Sequence, residues 1–150
     1  MRILGAPIKL WKEEMPHFRC YISGEAMHIP THVLLDTGSP FTVITPKDFL
    51  RTRLSLLDGK TQGLMTCKLA GFTFYRKPIA TKITYRFLSE EDKVIEIEYP
   101  NAEFLIPAKR EDVDAPGLKS IPSIIGVDFL RYNDFTFTFN PNKKIVYLEK

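Results

Sequence analysis

One carboxylate, two hydroxyls and a glycine follow one another in Asp36-Thr37-Gly38-Ser39, with Val33-Leu34-Leu35 before them and Phe41, Val43 and Ile44 after. A carboxylate held rigidly where an apolar strand breaks into a turn suits general acid or base work. Gly38 lets the backbone bend without steric penalty, and the Thr37 and Ser39 hydroxyls can bond neighbouring groups. Two such carboxylates facing each other across a water would share one proton and could hydrolyse an amide. This chain supplies one: no second Asp-Thr-Gly or Asp-Ser-Gly occurs in it. Asp58 follows Asp36 too closely to belong to a second lobe. Asp128, just after Ile124-Ile125-Gly126, is expected on a helix.

Strands must position Asp36. Period-2 alternation and β-branched or aromatic residues dominate. Phe18 to Ile22 reads as one strand, Gly24-Glu25 as a turn, and Ile29 to Leu35 as the strand that delivers Asp36. Thr42 to Thr45 continues extended. Thr45 as N-cap, Pro46 at the first helical position and Asp48 in the first turn predict a short helix from Pro46 to Leu50. From Leu54 to Cys67, Asp58-Gly59 and Gly63 between apolar flanks signal a hairpin. Leu69 to Phe74 and Ile79 to Phe87 are further strands, parted by a turn near Arg76-Lys77-Pro78. Between Ser89 and Lys119 charged residues crowd in around Val94 to Ile97 and Phe104 to Ile106, which predicts an inserted hairpin with a loop through Asp114 to Gly117. Ser123 to Gly126 is an apolar strand, Val127 to Arg131 a short helix, and Phe135 to Phe139 with Ile145 to Leu148 a closing hairpin. An all-β, barrel-like domain with one or two short helices fits best.

Composition narrows the functional classes. A chain of 150 residues with 44% hydrophobic content makes one globular domain with a real core, here 1–150. The net charge of +3 is spread without a dense basic cluster, which gives no argument for nucleic acid. The apolar runs are too short to cross a membrane, and Lys9, Lys12, Glu13 and Glu14 interrupt any leader-like segment near the start. Cys20 and Cys67 are expected as free thiols and the chain as cytoplasmic. His28 and His32 sit four apart, a spacing that does not converge on a metal in a strand. No metal and no cofactor is expected. Trp11 is expected in the core or at a subunit interface.

Taken together, these residues resemble the retropepsin-like aspartic proteases, the single-domain relatives of pepsin. Leu34 to Ser39 looks like that family's catalytic loop, followed by apolar Val43-Ile44. Ile124-Ile125-Gly126 looks like the element that crosses behind the loop, with Asp128-Phe129-Leu130 after it. The glycines Gly59 and Gly63 lie where the family places its flap. Pro40 stands where retroviral members often carry an acid, and Val127 where they commonly carry Arg, so the resemblance is to a cellular branch. Asp-Thr-Gly also suits an ordinary turn in any β protein; the flanks and the later Ile-Ile-Gly favour the chemical reading.

The resemblance implies a closed barrel with a flap hairpin and an aspartic endopeptidase acting on extended polypeptide. It implies a homodimer in which each subunit gives one Asp36 on a two-fold axis. The Thr37 side chains would interlock across that axis, and Ser39 would orient the outer carboxylate oxygen. Substrate would contact Ile44 and Ile125 in apolar pockets, with Gly59 and Gly63 in the covering flap. The competing reading is a non-catalytic member that binds peptide in the same groove or serves as a dimerisation module.

Overall fold

Side-chain alternation in the longest strands sets the architecture. In Met27–Leu35 the side chains of Met27, Ile29, Thr31, Val33 and Leu35 are buried, while His28, Pro30 and His32 face out. Leu34 is buried too, so the end of this strand has a core on both faces.

The structure, a computed structural model, describes residues 1–52, 55–57 and 59–150. Strands β1 (Arg2–Leu4), β2 (Ala6–Leu10), β3 (Glu13–Gly24) and β4 (Met27–Leu35) lead to the short β5 (Val43–Ile44) and helix α1 (Pro46–Phe49). After them come β6 (Met65–Leu69), β7 (Phe72–Pro78), β8 (Ile83–Leu88), β9 (Val94–Tyr99) and β10 (Glu103–Pro107). Two 3₁₀ turns, Arg110–Asp114 and Leu118–Ser120, precede β11 (Ile124–Ile125) and helix α2 (Val127–Tyr132). A final hairpin, β12 (Thr136–Asn140) and β13 (Ile145–Glu149), closes the chain's fold. The protein is mostly β, with few and short helices.

The larger sheet runs β6-β7-β10-β5-β11-β4-β3-β8-β9, with β2 also paired to β3; β1-β13-β12 form a smaller one. The long β3 divides the larger sheet. Its first half pairs with β2, as in Ala6 beside His17, and its second half with β8, as in Cys20 beside Phe87. Among the described residues β6 and β9 each have one neighbour. Among the described residues these pairings trace a path from β6 to β9, and no pairing that closes the expected barrel is among them.

Neighbouring residues of the central strands enter opposite cores. Leu35, Ile44, Phe104 and Ile125 join the main cluster with Phe18, Phe49 and Phe129. Leu34, Val43, Leu105 and Ile124 join a smaller cluster with Phe74, Leu118 and Ile121. The central β4-β11-β5 ladder separates the two.

Several expectations change. The hairpin lies between β6 and β7, where Leu69 pairs with Phe72 and the turn residues Ala70 (φ 51°) and Gly71 (φ 84°) are both left-handed. That is the geometry a two-residue hairpin loop needs. The predicted strand from Leu69 to Phe74 is thus split by this turn, and Arg76-Lys77-Pro78, predicted as a turn, belong to β7. Of the hairpin predicted around Gly59 and Gly63, Leu54 and Asp58 lie outside the described residues; Gly59 and Gly63 sit in turns, outside any strand.

The apolar pieces of 89–119 do not pair with each other. The first forms β9 on β8, and the second forms β10 between β7 and β5. The turn after β3 comes one residue late, at Glu25 (φ 47°) and Ala26 (φ 61°). Trp11 is exposed in the β2–β3 turn. Thr45 precedes α1 but makes no side-chain cap; its hydroxyl donates to the Ile121 carbonyl at 2.7 Å.

Candidate active site

Asp36 follows the last residue of β4, and the strands beside it decide where it stops. Leu34 and Leu35 run parallel to Ile124 and Ile125, and the Asp36 amide donates to the Ile125 carbonyl at 3.1 Å. The Asp36 carbonyl accepts the Ser39 amide at 3.0 Å, which closes the turn. Its carboxylate Oδ1 accepts the Gly38 amide at 2.9 Å. The side chain is half-buried, while Thr37 and Gly38 are exposed. The Ser39 hydroxyl, expected to reach the outer carboxylate oxygen, donates here to the Phe41 carbonyl at 2.8 Å.

The loop rests on Gly126. A β-carbon there would meet the Phe41 carbonyl oxygen at 2.5 Å and that of Ser39 at 2.7 Å. With φ at −98° the demand is for space and not for left-handed backbone. The next amide, Val127, donates to the Ser39 carbonyl at 2.9 Å.

Asp128 ties this crossing together. Its Oδ1 accepts the Thr42 hydroxyl at 2.7 Å and the Phe129 amide at 2.8 Å. Its Oδ2 accepts the Thr42 amide at 3.1 Å and the Tyr99 hydroxyl at 2.5 Å. The Thr42 hydroxyl in turn accepts the Gly126 amide at 3.0 Å. Desolvation first, and then the bond to Asp128, hold the Tyr99 phenol pKa well above its ordinary value. The Tyr99 hydroxyl therefore stays protonated, and a donor to Asp128, at neutral pH.

A cavity of about 270 Å³ opens beside Asp36. The carboxylate loop, from Asp36 to Phe41, forms one wall, and Cys67, Lys68 and Leu69 of β6 form another. Val43, Leu105 and Ile124 lie between them, with Arg76 of β7 at the side. Asp36 is the one carboxylate among the lining residues. Arg76 stands 2.9 Å from Glu103 and 3.5 Å from the centre of the Phe41 ring, so β7, β10 and the loop are joined through one guanidinium.

Strand parity corrects two predicted contacts. Ile44 and Ile125 are completely buried in the main core; their neighbours Val43 and Ile124 face the cavity. Gly59 and Gly63 do not line it either. Gly59 borders a separate cavity of about 640 Å³ with Tyr75, Ile106 and Arg110. Thr42, Tyr99, Lys68 and Arg76 escaped the sequence reading. The facing of Val43 and Ile124 carried no local signal either, since both members of each apolar pair are buried.

Cys20 and Cys67 are free. Burial pushes the Cys67 thiol pKa up, away from the reactive thiolate. His28 stacks on Tyr21 with ring centres 5.4 Å apart. Among the described residues no group of three His, Cys, Asp or Glu is gathered as a metal site, and no helix is long and apolar enough to cross a membrane.

No family model matches this sequence, and no curated protein matches it. Among solved structures, the chain is similar to a retropepsin-like aspartic protease from Rickettsia conorii, at 13% identity and a TM-score of 0.49, over 99% of this chain and 88% of that one.

Proposed function

We propose that the protein is an aspartic endopeptidase of extended polypeptides, active as a homodimer to which each subunit gives one Asp36. The observation that carries this reading is half-buried Asp36, its carboxylate held by the Gly38 amide and its backbone by Ser39 and Ile125, lining a mostly apolar cavity. A second carboxylate is needed, and an identical subunit on a two-fold axis is the simplest source.

Two carboxylates that close cannot both ionise, so the pair holds one proton and titrates as a unit. The ionised Asp36 takes a proton from water as the water oxygen attacks the scissile carbonyl. The protonated Asp36 of the partner subunit donates to the carbonyl oxygen. Collapse of the tetrahedral species breaks the C–N bond as the nitrogen takes up a proton, leaving a carboxylic acid and an amine. Substrate backbone adds alongside strand edges, with apolar side chains against Val43, Leu105 and Ile124. The β6–β7 hairpin, carrying Lys68 and Leu69, takes the covering role first expected around Gly59 and Gly63. Free cysteines suit a cytoplasmic setting.

Purified protein incubated with unfolded polypeptide from about pH 3 to 7 tests this, with Asp36→Ala as control. Cleavage that rises with protein concentration and vanishes in the variant is expected. Peptide binding without cleavage at any pH would leave the non-catalytic binding module as the better account.

A further inference from the structure

We propose that Asp128 is a positioning residue for Asp36, acting through Thr42. Four donors converge on its two carboxylate oxygens: the Thr42 amide and hydroxyl, the Tyr99 hydroxyl and the Phe129 amide. Each oxygen takes two of them, so its capacity as an acceptor is filled from within the chain. No ion pair neutralises it among the described residues.

Such a carboxylate is an anchor, and the anchored groups lead to the candidate catalytic loop by a short route. Thr42 follows Phe41 at the end of that loop. Its hydroxyl donates to Asp128 and accepts the Gly126 amide, so one oxygen joins the loop's exit to the strand crossing behind it. Gly126 is pressed against the Ser39 and Phe41 carbonyls, and Val127 holds the Ser39 carbonyl. Ser39 in turn closes the turn on Asp36. Displacing Thr42 therefore moves the support of the Asp36 turn before it disturbs either core. Tyr99 steadies the anchor from the far side. Its ring packs on Phe129 and Tyr132, which fixes the hydroxyl over Asp128.

The closing experiment pairs Thr42→Val with Thr42→Ser and adds Asp128→Asn. Valine keeps the shape of threonine and removes the hydroxyl, whereas serine keeps the hydroxyl. Asparagine sets an NH₂ donor against two existing donors. Thr42→Val and Asp128→Asn should speed exchange of the Gly126 amide by about tenfold or more and shift the Gly38 and Val127 amide signals. They should lower kcat by about ten- to a hundredfold with little change in KM, and Thr42→Ser should restore both. Folded variants with wild-type amide signals and kcat would overturn the assignment, even if less heat-stable. The kcat arm rests on the endopeptidase reading; if wild-type protein cleaves nothing, that reading fails while the amide measurements still decide the role of Asp128.

Discussion

A methyl group on Gly126 would lie 2.5 Å from the carbonyl oxygen of Phe41. The methyl would be fixed directly to the Gly126 backbone and the oxygen is itself backbone, so neither can swing aside as the end of a flexible side chain would. Gly126→Ala is expected to destabilise the fold by about 1–3 kcal/mol, the range for overpacking a tight site. Urea unfolding measures it. A wild-type midpoint would mean that the two crossing segments are looser than this geometry requires.

Shared catalysis predicts a mixing effect. Asp36→Asn keeps an oxygen to accept the Gly38 amide and removes the ionisable group, so the variant should fold and still associate. Mixed in equal amount with wild-type protein under conditions of subunit exchange, it should lower activity per wild-type chain about twofold, since about a quarter of randomly paired dimers retain both carboxylates. Activity indifferent to the added variant would point to a chain that works alone.

Opposite faces of the same sheet, at Ile44 of β5 and Ile124 of the neighbouring β11, should behave differently. Ile44→Ala empties a completely buried site and is expected to cost about 2–5 kcal/mol, with peptide preference unchanged in the folded fraction. Ile124→Ala enlarges the cavity beside Asp36 and should change which side chain is preferred next to the cleaved bond. Profiling a peptide mixture with both variants separates the two. A shift in preference with Ile44→Ala alone would reverse the assignment of faces.

His17 links stability to acid. It is buried, with Nδ1 placed 2.9 Å from the Met15 carbonyl oxygen. Desolvation lowers its pKa from the ordinary 6.5, and His32 and Lys47 add smaller pushes in the same direction against the raising effect of the Met15 bond. The unfolded chain therefore binds a proton near pH 6.5 that the folded chain refuses until the pH is lower. Within that window the unfolded state holds more protons, so stability falls as pH drops below 6.5 and is retained above it. Denaturant titrations from about pH 5 to 8 should show this slope and a flatter one in His17→Gln. An identical slope in the variant would assign the acid sensitivity elsewhere.

The sequence alone located Asp36 and the strand that carries it, because Ile29 to Leu35 alternates and then breaks at Gly38. It also located the strand within Ser123 to Gly126, the helix from Val127 to Arg131 and the closing hairpin, whose turn residues and alternating aromatics are local signals. Pairing partners were beyond its reach. Phe104 to Ile106 reads as a short apolar piece in charged surroundings, yet tertiary structure sets it between β7 and β5 as a buried strand. The β6–β7 turn was hidden because Ala70 (φ 51°) adopts a left-handed conformation that its side chain does not advertise, while Gly59 and Gly63, which signal a hairpin in the sequence, lie outside any strand. The choice between Val43 and Ile44, or Ile124 and Ile125, as cavity wall was equally hidden. Both members of each pair are apolar, and only the packing of a core on each side of β4, β5 and β11 decides which one faces Asp36. Local sequence encodes where a strand bends; which surfaces meet depends on segments far apart in the chain.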